Sequence, residues 1–126
     1  MIRTYPEPTG LRVVLAAANP ITALLMGVLL GTDGHDVRLA HDGASALEAA
    51  ETHDPDVLLL EGGSPGLDVQ EVARRLKRRN ALKTPLLIEM AWPDQVAGED
   101  IDLRLDQPVD PVLLQRLLKR FQRVVG

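Results

Sequence analysis

The sequence predicts an α/β fold, a doubly wound sheet of five parallel strands. Three observations lead there. Short apolar runs suited to buried strands recur near residues 11–17, 57–60 and 86–90. Between them lie stretches with helical spacing, opened by Asn19-Pro20, Asp42, Asp68 and Asp110-Pro111, which are helix-start signals. The main strand runs are continuously apolar instead of alternating, as in a parallel sheet covered on both faces.

Met1 to Gly10, with Pro6, Pro8 and Gly10, reads as a flexible leader, and residues 11–126 as one domain. Leu11 to Ala17 is the first strand. Asn19 caps a helix that has Pro20 at its first position and continues through the apolar stretch Ile21 to Leu30. Gly31 to Gly34 ends it. Asp36 to Ala40 is a short second strand, and Asp42-Gly43 turns into an Ala-rich helix over 44–52. Val57 to Leu60 is the third and most buried strand. Asp68 caps a helix near 69–79, and 86–90 is a fourth strand. Residues 102–106 give a short fifth strand. Asp110 caps a last helix in which Leu113, Leu114, Leu117, Leu118 and Phe121 repeat at helical spacing.

Composition narrows the function. The 126 residues are 45% apolar and 25% charged, values of one soluble globular domain with a real core. Without cysteine there are no disulfides and no thiolate metal sites. No apolar run reaches membrane-spanning length and the first residues lack signal-peptide features, so a cytoplasmic address is expected. A net charge of −4, with one Trp, one Tyr and one Phe, argues against a nucleic-acid binder.

Ligand chemistry in a doubly wound sheet belongs at the carboxyl ends of the strands. Those ends carry Ala16-Ala17-Ala18-Asn19, Glu61 followed by a Gly/Pro turn, Met90-Ala91, and Gln107-Pro108. The blocks R-V-V-L-A-A-A-N-P, A-H-D-G-A-S-A-L-E-A, P-D-V-L-L-L-E-G-G-S-P-G-L-D and Q-P-V-D, in this order, resemble those of response-regulator receiver domains. The resemblance runs from Leu11 to Phe121. It implies the flavodoxin-like, receiver-type fold, in which a histidine kinase phosphorylates an aspartate. It also implies that the acidic metal-holding pair falls on Ala17 and Ala18 and the phosphoacceptor on Glu61. The reporting hydroxyl falls on Met90, the switch aromatic on Arg104 and the lysine on Gln107, behind a bond to Pro108 that is usually cis in the family.

None of those positions carries its usual residue. Magnesium takes octahedral oxygen ligands, and alanine offers methyl groups. Phosphoryl transfer relies on positioning and on cations that neutralise the equatorial oxygens, and here metal ligands and lysine are both replaced. Glu61 is one methylene longer than aspartate, which displaces the attacking oxygen by about an ångström, a shift worth ~100-fold. A lone carboxylate is tolerable, because each close pair of carboxylates repels by ~4 kcal/mol. Glu61 then reads as a solvated strand-end carboxylate; the sharper reading is a permanent mimic of phospho-aspartate.

The segment between Ala91 and Gln107 is shorter than the family's, and Pro93 and Gly98 leave room for about one turn, so the fourth helix is short or missing. Glu89, inside an apolar strand, fits a face that has lost that cover. Trp92, Arg104, Arg116 and Lys119 are the interaction candidates, Trp92 either as an exposed anchor or as a plug. The basic stripes Arg74–Lys83 and Arg116–Arg123 read as solvated faces near helix ends, or as a dock for an acidic partner. His35, His41 and His53 show no metal-ligand spacing and read as surface imidazoles; Met26 reads as core. Ser64 has no histidine placed to activate it.

The expectation is a receiver-like domain without phosphoacceptor chemistry, not an enzyme, binding no magnesium and no cofactor. It would act on protein partners in a signalling pathway, or pair with a second copy, without nucleic acid or membrane. Two alternatives are an active receiver accepting phosphate at Glu61 and a small-ligand binder using the vacated space near Ala17 and Ala18.

Overall fold

The computed structural model describes residues 10–63, 66–79, 84–96 and 98–125. The expected leader up to residue 9, Ser64, Pro65 and Lys83 lie outside the described residues. The elements follow in the order β1 (Arg12–Ala16), α1 (Pro20–Thr32), β2 (Asp36–Ala40), α2 (Gly43–His53), β3 (Val57–Glu61), α3 (Val69–Arg79), β4 (Leu86–Ala91), β5 (Leu103–Asp106) and α4 (Pro111–Val125). The five strands form one parallel sheet in the order β2-β1-β3-β4-β5. The doubly wound sheet predicted from the sequence is therefore present, with its switch point between β1 and β3.

Side chains in a strand alternate between faces, so each strand feeds two cores. Val13, Leu15, Leu59, Ile88, Met90 and Leu105 pack with Leu30, Leu114 and Leu118 under α1 and α4. Val14, Ala16, Leu58, Leu60 and Leu87 pack with Ala46, Ala49, Val72, Ala73 and Leu76 under α2 and α3. Met26 is half-buried against the first of these cores.

The predicted caps are in place. Asn19 Oδ1 accepts from the N–H groups of Ile21 at 2.9 Å and Thr22 at 3.3 Å. Asp42 and Ser45 form a reciprocal capping box at the start of α2. Asp68 accepts from Glu71 N–H, and Asp110 from Val112 N–H. The Gln107–Pro108 peptide is cis, as the resemblance implied.

Among the described residues no helix stands between β4 and β5; the connection is a turn-rich loop. It is nonetheless fixed. Trp92 and Gln95 hydrogen-bond each other, with Gln95 Oε1 2.8 Å from Trp92 N. Asp102 bonds both backbone groups of Leu87, and Ile101 packs on the α2–α3 core. No helix among the described residues is long and apolar enough to cross a membrane.

Two histidines depart from the surface reading. His41 is exposed, but His35 and His53 are buried. His35 Nδ1 accepts from the Leu11 N–H at 3.0 Å, which ties the turn before β2 to the start of β1. His53 Nε2 lies 3.2 Å from the Asp36 carbonyl. Each imidazole bonds a backbone group at the amino-terminal edge of the sheet, one just before β1 and the other at the first residue of β2.

Two outcomes are expected. Asn19→Ala should lower stability by about 1 kcal/mol in urea unfolding, the usual loss for a removed cap. Burial lowers the His35 pKa below its ordinary 6.5, against the opposing pull of Asp33. The stability tied to neutral His35 is then complete above pH 6.5 and lost as pH falls from there through its folded value. An NMR titration should show a His35 imidazole midpoint below 6.5.

Candidate functional site

Glu61 ends β3 at the carboxyl edge of the sheet. Strand alternation sends its side chain to the face of Leu59, toward α1 and α4, and it is only 7% exposed. The solvated reading is thereby corrected: Glu61 lines a hollow of ≈ 330 Å³ between α1 and α4, with Thr22, Leu25, Met26, Met90 and Gln107. Most of these neighbours are apolar.

Ala17 is buried and Ala18 half-buried. They line a different hollow, of ≈ 420 Å³, on the other side of α1 against Leu39 and His41 of the β2 edge. The strand ends thus carry two separate depressions where the sequence reading expected a single vacated pocket. Met90 is fully buried, its carbonyl accepting from the Gly62 N–H and from Gln107 Nε2, both at 2.8 Å. The Gln107 amide is thus turned onto the backbone of β4, and its own N–H bonds the Ala91 carbonyl. Among the described residues no three His, Asp or Glu side chains converge closely enough to hold a metal ion.

No protein-family model matches the chain. The transcriptional regulatory protein TrcR of Mycobacterium tuberculosis is 36% identical over 119 residues, 92% of this chain and 46% of TrcR. The chain spans less than half the length of the curated relatives it matches first. A putative response regulator from Chloroflexus aurantiacus superposes with a TM-score of 0.80 at 21% identity, covering 91% of this chain and 99% of that one. The receiver domain of a Pseudomonas aeruginosa sensor histidine kinase, solved with a magnesium ion in its active-site cleft, gives a TM-score of 0.74. It is 25% identical, with 90% of this chain and 98% of that one covered. Sequence and fold are those of a response-regulator receiver domain.

In this receiver domain the interaction candidates do not form one surface. Arg104 is half-buried, and its guanidinium donates to the carbonyls of Trp92 and Gln95. It holds the β4–β5 loop and is not a free surface cation. Trp92 stands about half exposed beside it, so it does not plug the gap left by the absent helix. Arg116 and Lys119 are exposed on α4. Lys119 lines a hollow with Gly10, Leu11 and Asp56 at the opposite, amino-terminal edge of the sheet.

Sequence reasoning missed a pair and a stripe. Glu89 and Arg104 face each other in the β4–β5 register, on the side that the absent helix leaves open. Glu89 is not bathed in solvent there: it is 5% exposed, and a Cβ on Gly62 would lie 2.7 Å from its Oε2. A side chain at residue 62 would have to displace the Glu89 carboxylate. Glu89 Oε1 and Arg104 Nε are buried without hydrogen-bond partners. Two charges interrupting adjacent apolar strands were the available signal. The stripe is Ile21, Leu24, Leu25 and Val28 on α1, all between 61% and 68% exposed.

Burial raises the Glu89 pKa above its ordinary 4.5, with Arg104 pulling the other way. Stability from protonated Glu89 is complete below pH 4.5 and is lost as pH rises through its folded value. Glu89→Gln should therefore raise the melting temperature at neutral pH, and the gain should shrink on acidification below 4.5, followed by thermal denaturation at stepped pH.

Proposed function

We propose that this receiver domain takes no phosphoryl group and works as a protein-interaction module of a signalling pathway in the cytoplasm. The observation that carries the reading is the replacement of oxygen ligands beside Glu61 by alanine. Ala16 pairs with Leu60, so Ala17 follows at the strand end beside Glu61, and it and Ala18 offer methyl groups where carboxylates would be needed. A magnesium ion requires several oxygen ligands in near-octahedral array, and one carboxylate does not supply them. The Pseudomonas receiver domain holds such an ion in its cleft; here the strand ends that would supply its ligands are alanine.

The relay also lacks parts. Met90 has no hydroxyl, and Gln107 is neutral and already engaged on the Met90 carbonyl. Arg104 anchors a loop where a rotating aromatic would sit. Glu61 as a permanent phosphate mimic gains little support, because Met90 and Arg104 leave no hydroxyl to draw toward it and no aromatic to rotate. TrcR is named a transcriptional regulatory protein, and the part of it that this chain matches is less than half. The proposal concerns the receiver domain alone.

Incubation with radiolabelled acetyl phosphate and magnesium should leave the chain unlabelled, and magnesium with beryllofluoride should leave its melting temperature unchanged. Acid-labile label mapped to Glu61 by peptide mass spectrometry would overturn the reading.

A further inference from the structure

Helix α1 contains no charged residue from Pro20 to Thr32. Its inner side supplies Ala23 and Leu30 to the cores. Its outer side presents Ile21, Leu24, Leu25 and Val28, the i, i+3, i+4, i+7 pattern of a helix seam, at 61–68% exposure. The apolar surface continues to both sides. Leu24 shares a hollow with Leu39, itself about half exposed on the edge strand β2. Leu25 shares the other hollow with Pro111, next to exposed Val112 and Leu113 at the start of α4. The relief is a ridge between two grooves of ≈ 330 and ≈ 420 Å³.

We infer that α1 is a dimerisation surface, and that its occupant is α1 of a second copy of this chain. Three features select that occupant. A ridge flanked by grooves is self-complementary: a two-fold axis lays each ridge along the other copy's groove, which is ridges-into-grooves packing between helices. The ridge of α1 itself carries no charge in a chain of net charge −4, and Glu61 is 7% exposed at the floor of one groove, so the ridges of two copies meet without like-charge cost, whereas a charged partner finds nothing on α1 to pair with. The area also suffices. A stable interface takes about 800 Å² from each partner, and seven large apolar side chains at about half exposure or more, with the walls of two grooves, supply area of that order. Monomers rarely expose contiguous apolar patches of this size. The inference deepens the interaction-module reading by naming a partner and a surface, and it needs no phosphate.

Sedimentation equilibrium of the full chain over a micromolar concentration series tests it. The wild type should dimerise, and Leu24→Glu and Val28→Lys should each weaken the dimer roughly 30-fold or more, as loss of a central apolar anchor does. Both side chains are outside the core, so circular dichroism and melting should show folded monomers. Because the chain has no cysteine, Leu24→Cys should give a disulfide-linked dimer on mild oxidation, while Val96→Cys, 90% exposed and away from α1, should not. A wild type that stays monomeric, a dimer that survives both charged substitutions, or equal cross-linking at the two cysteines would overturn the inference. A monomeric wild type would leave the absence of phosphotransfer standing, and label at Glu61 would leave the dimer measurable.

Discussion

The pairing of β3 with β4 governs the rest of the molecule. These strands run parallel in a register that sets Val57 against Leu86 and Glu61 against Met90. Side chains alternate with a period of two, so a fixed register leaves each residue only one face. The apolar series Val57, Leu59, Ile88 and Met90 points toward α1 and α4. Glu61, two residues beyond Leu59, has to follow them, and its carboxylate enters the α1–α4 hollow. Glu89, one residue before Met90, has to point the other way. A slip by one residue would bury Glu61 under α2 and α3 and turn the apolar series out of its core, so the hydrophobic energy of the strands fixes where both carboxylates lie.

Among the described residues no helix stands between β4 and β5, and the same register turns Glu89 to the face left without one. The face that Glu89 meets is bounded by Gly62, by Arg104 on the next strand, and by the loop that Arg104 holds. A charge at 89 is costly when desolvated, and Arg104 offsets part of that cost. In return Arg104 gains an acidic neighbour while its guanidinium ties the carbonyls of Trp92 and Gln95. The charged pair closes with one loop what an apolar helix would otherwise cover. Glu89 Oε1 and Arg104 Nε are buried without hydrogen bonds, although Arg104 Nε lies 4.0 Å from Asp106 Oδ1, so this closure leaves polar atoms only partly satisfied.

Much of this was legible in the sequence, for identifiable reasons. Element ends are close to their predicted positions because caps announce them: Asn19 before Pro20, the Asp42–Ser45 box, Asp68, and Asp110 before Pro111. The missing helix was readable from Pro93 and Gly98. The burial of Glu61 is encoded by its two-residue offset to Leu59, which overrides the ordinary tendency of a charge at a strand tip to face water. The histidines were not readable. His35 and His53 are buried because they satisfy backbone groups of β1 and β2 that are distant in sequence, and no local pattern encodes that. The outward face of α1 was hidden for a different reason: a helix apolar all round has no polar side to mark which residues stay outside.

That last ambiguity connects the site to the surface. The strand ends hold Ala17, Ala18 and Gln107, which are uncharged, and the adjoining helix α1 carries no charge. The carboxyl edge of this sheet is thus short of the groups that would keep water ordered there or repel an apolar neighbour. The two hollows beside α1 are the places where site chemistry would otherwise have filled space: one holds Ala17 and Ala18, the other Glu61 and Gln107. Strand ends and ridge therefore adjoin, since the strand-end residues line the grooves that flank α1. Whatever covered the α1 ridge would also close over Glu61 in one groove and over Ala17 and Ala18 in the other.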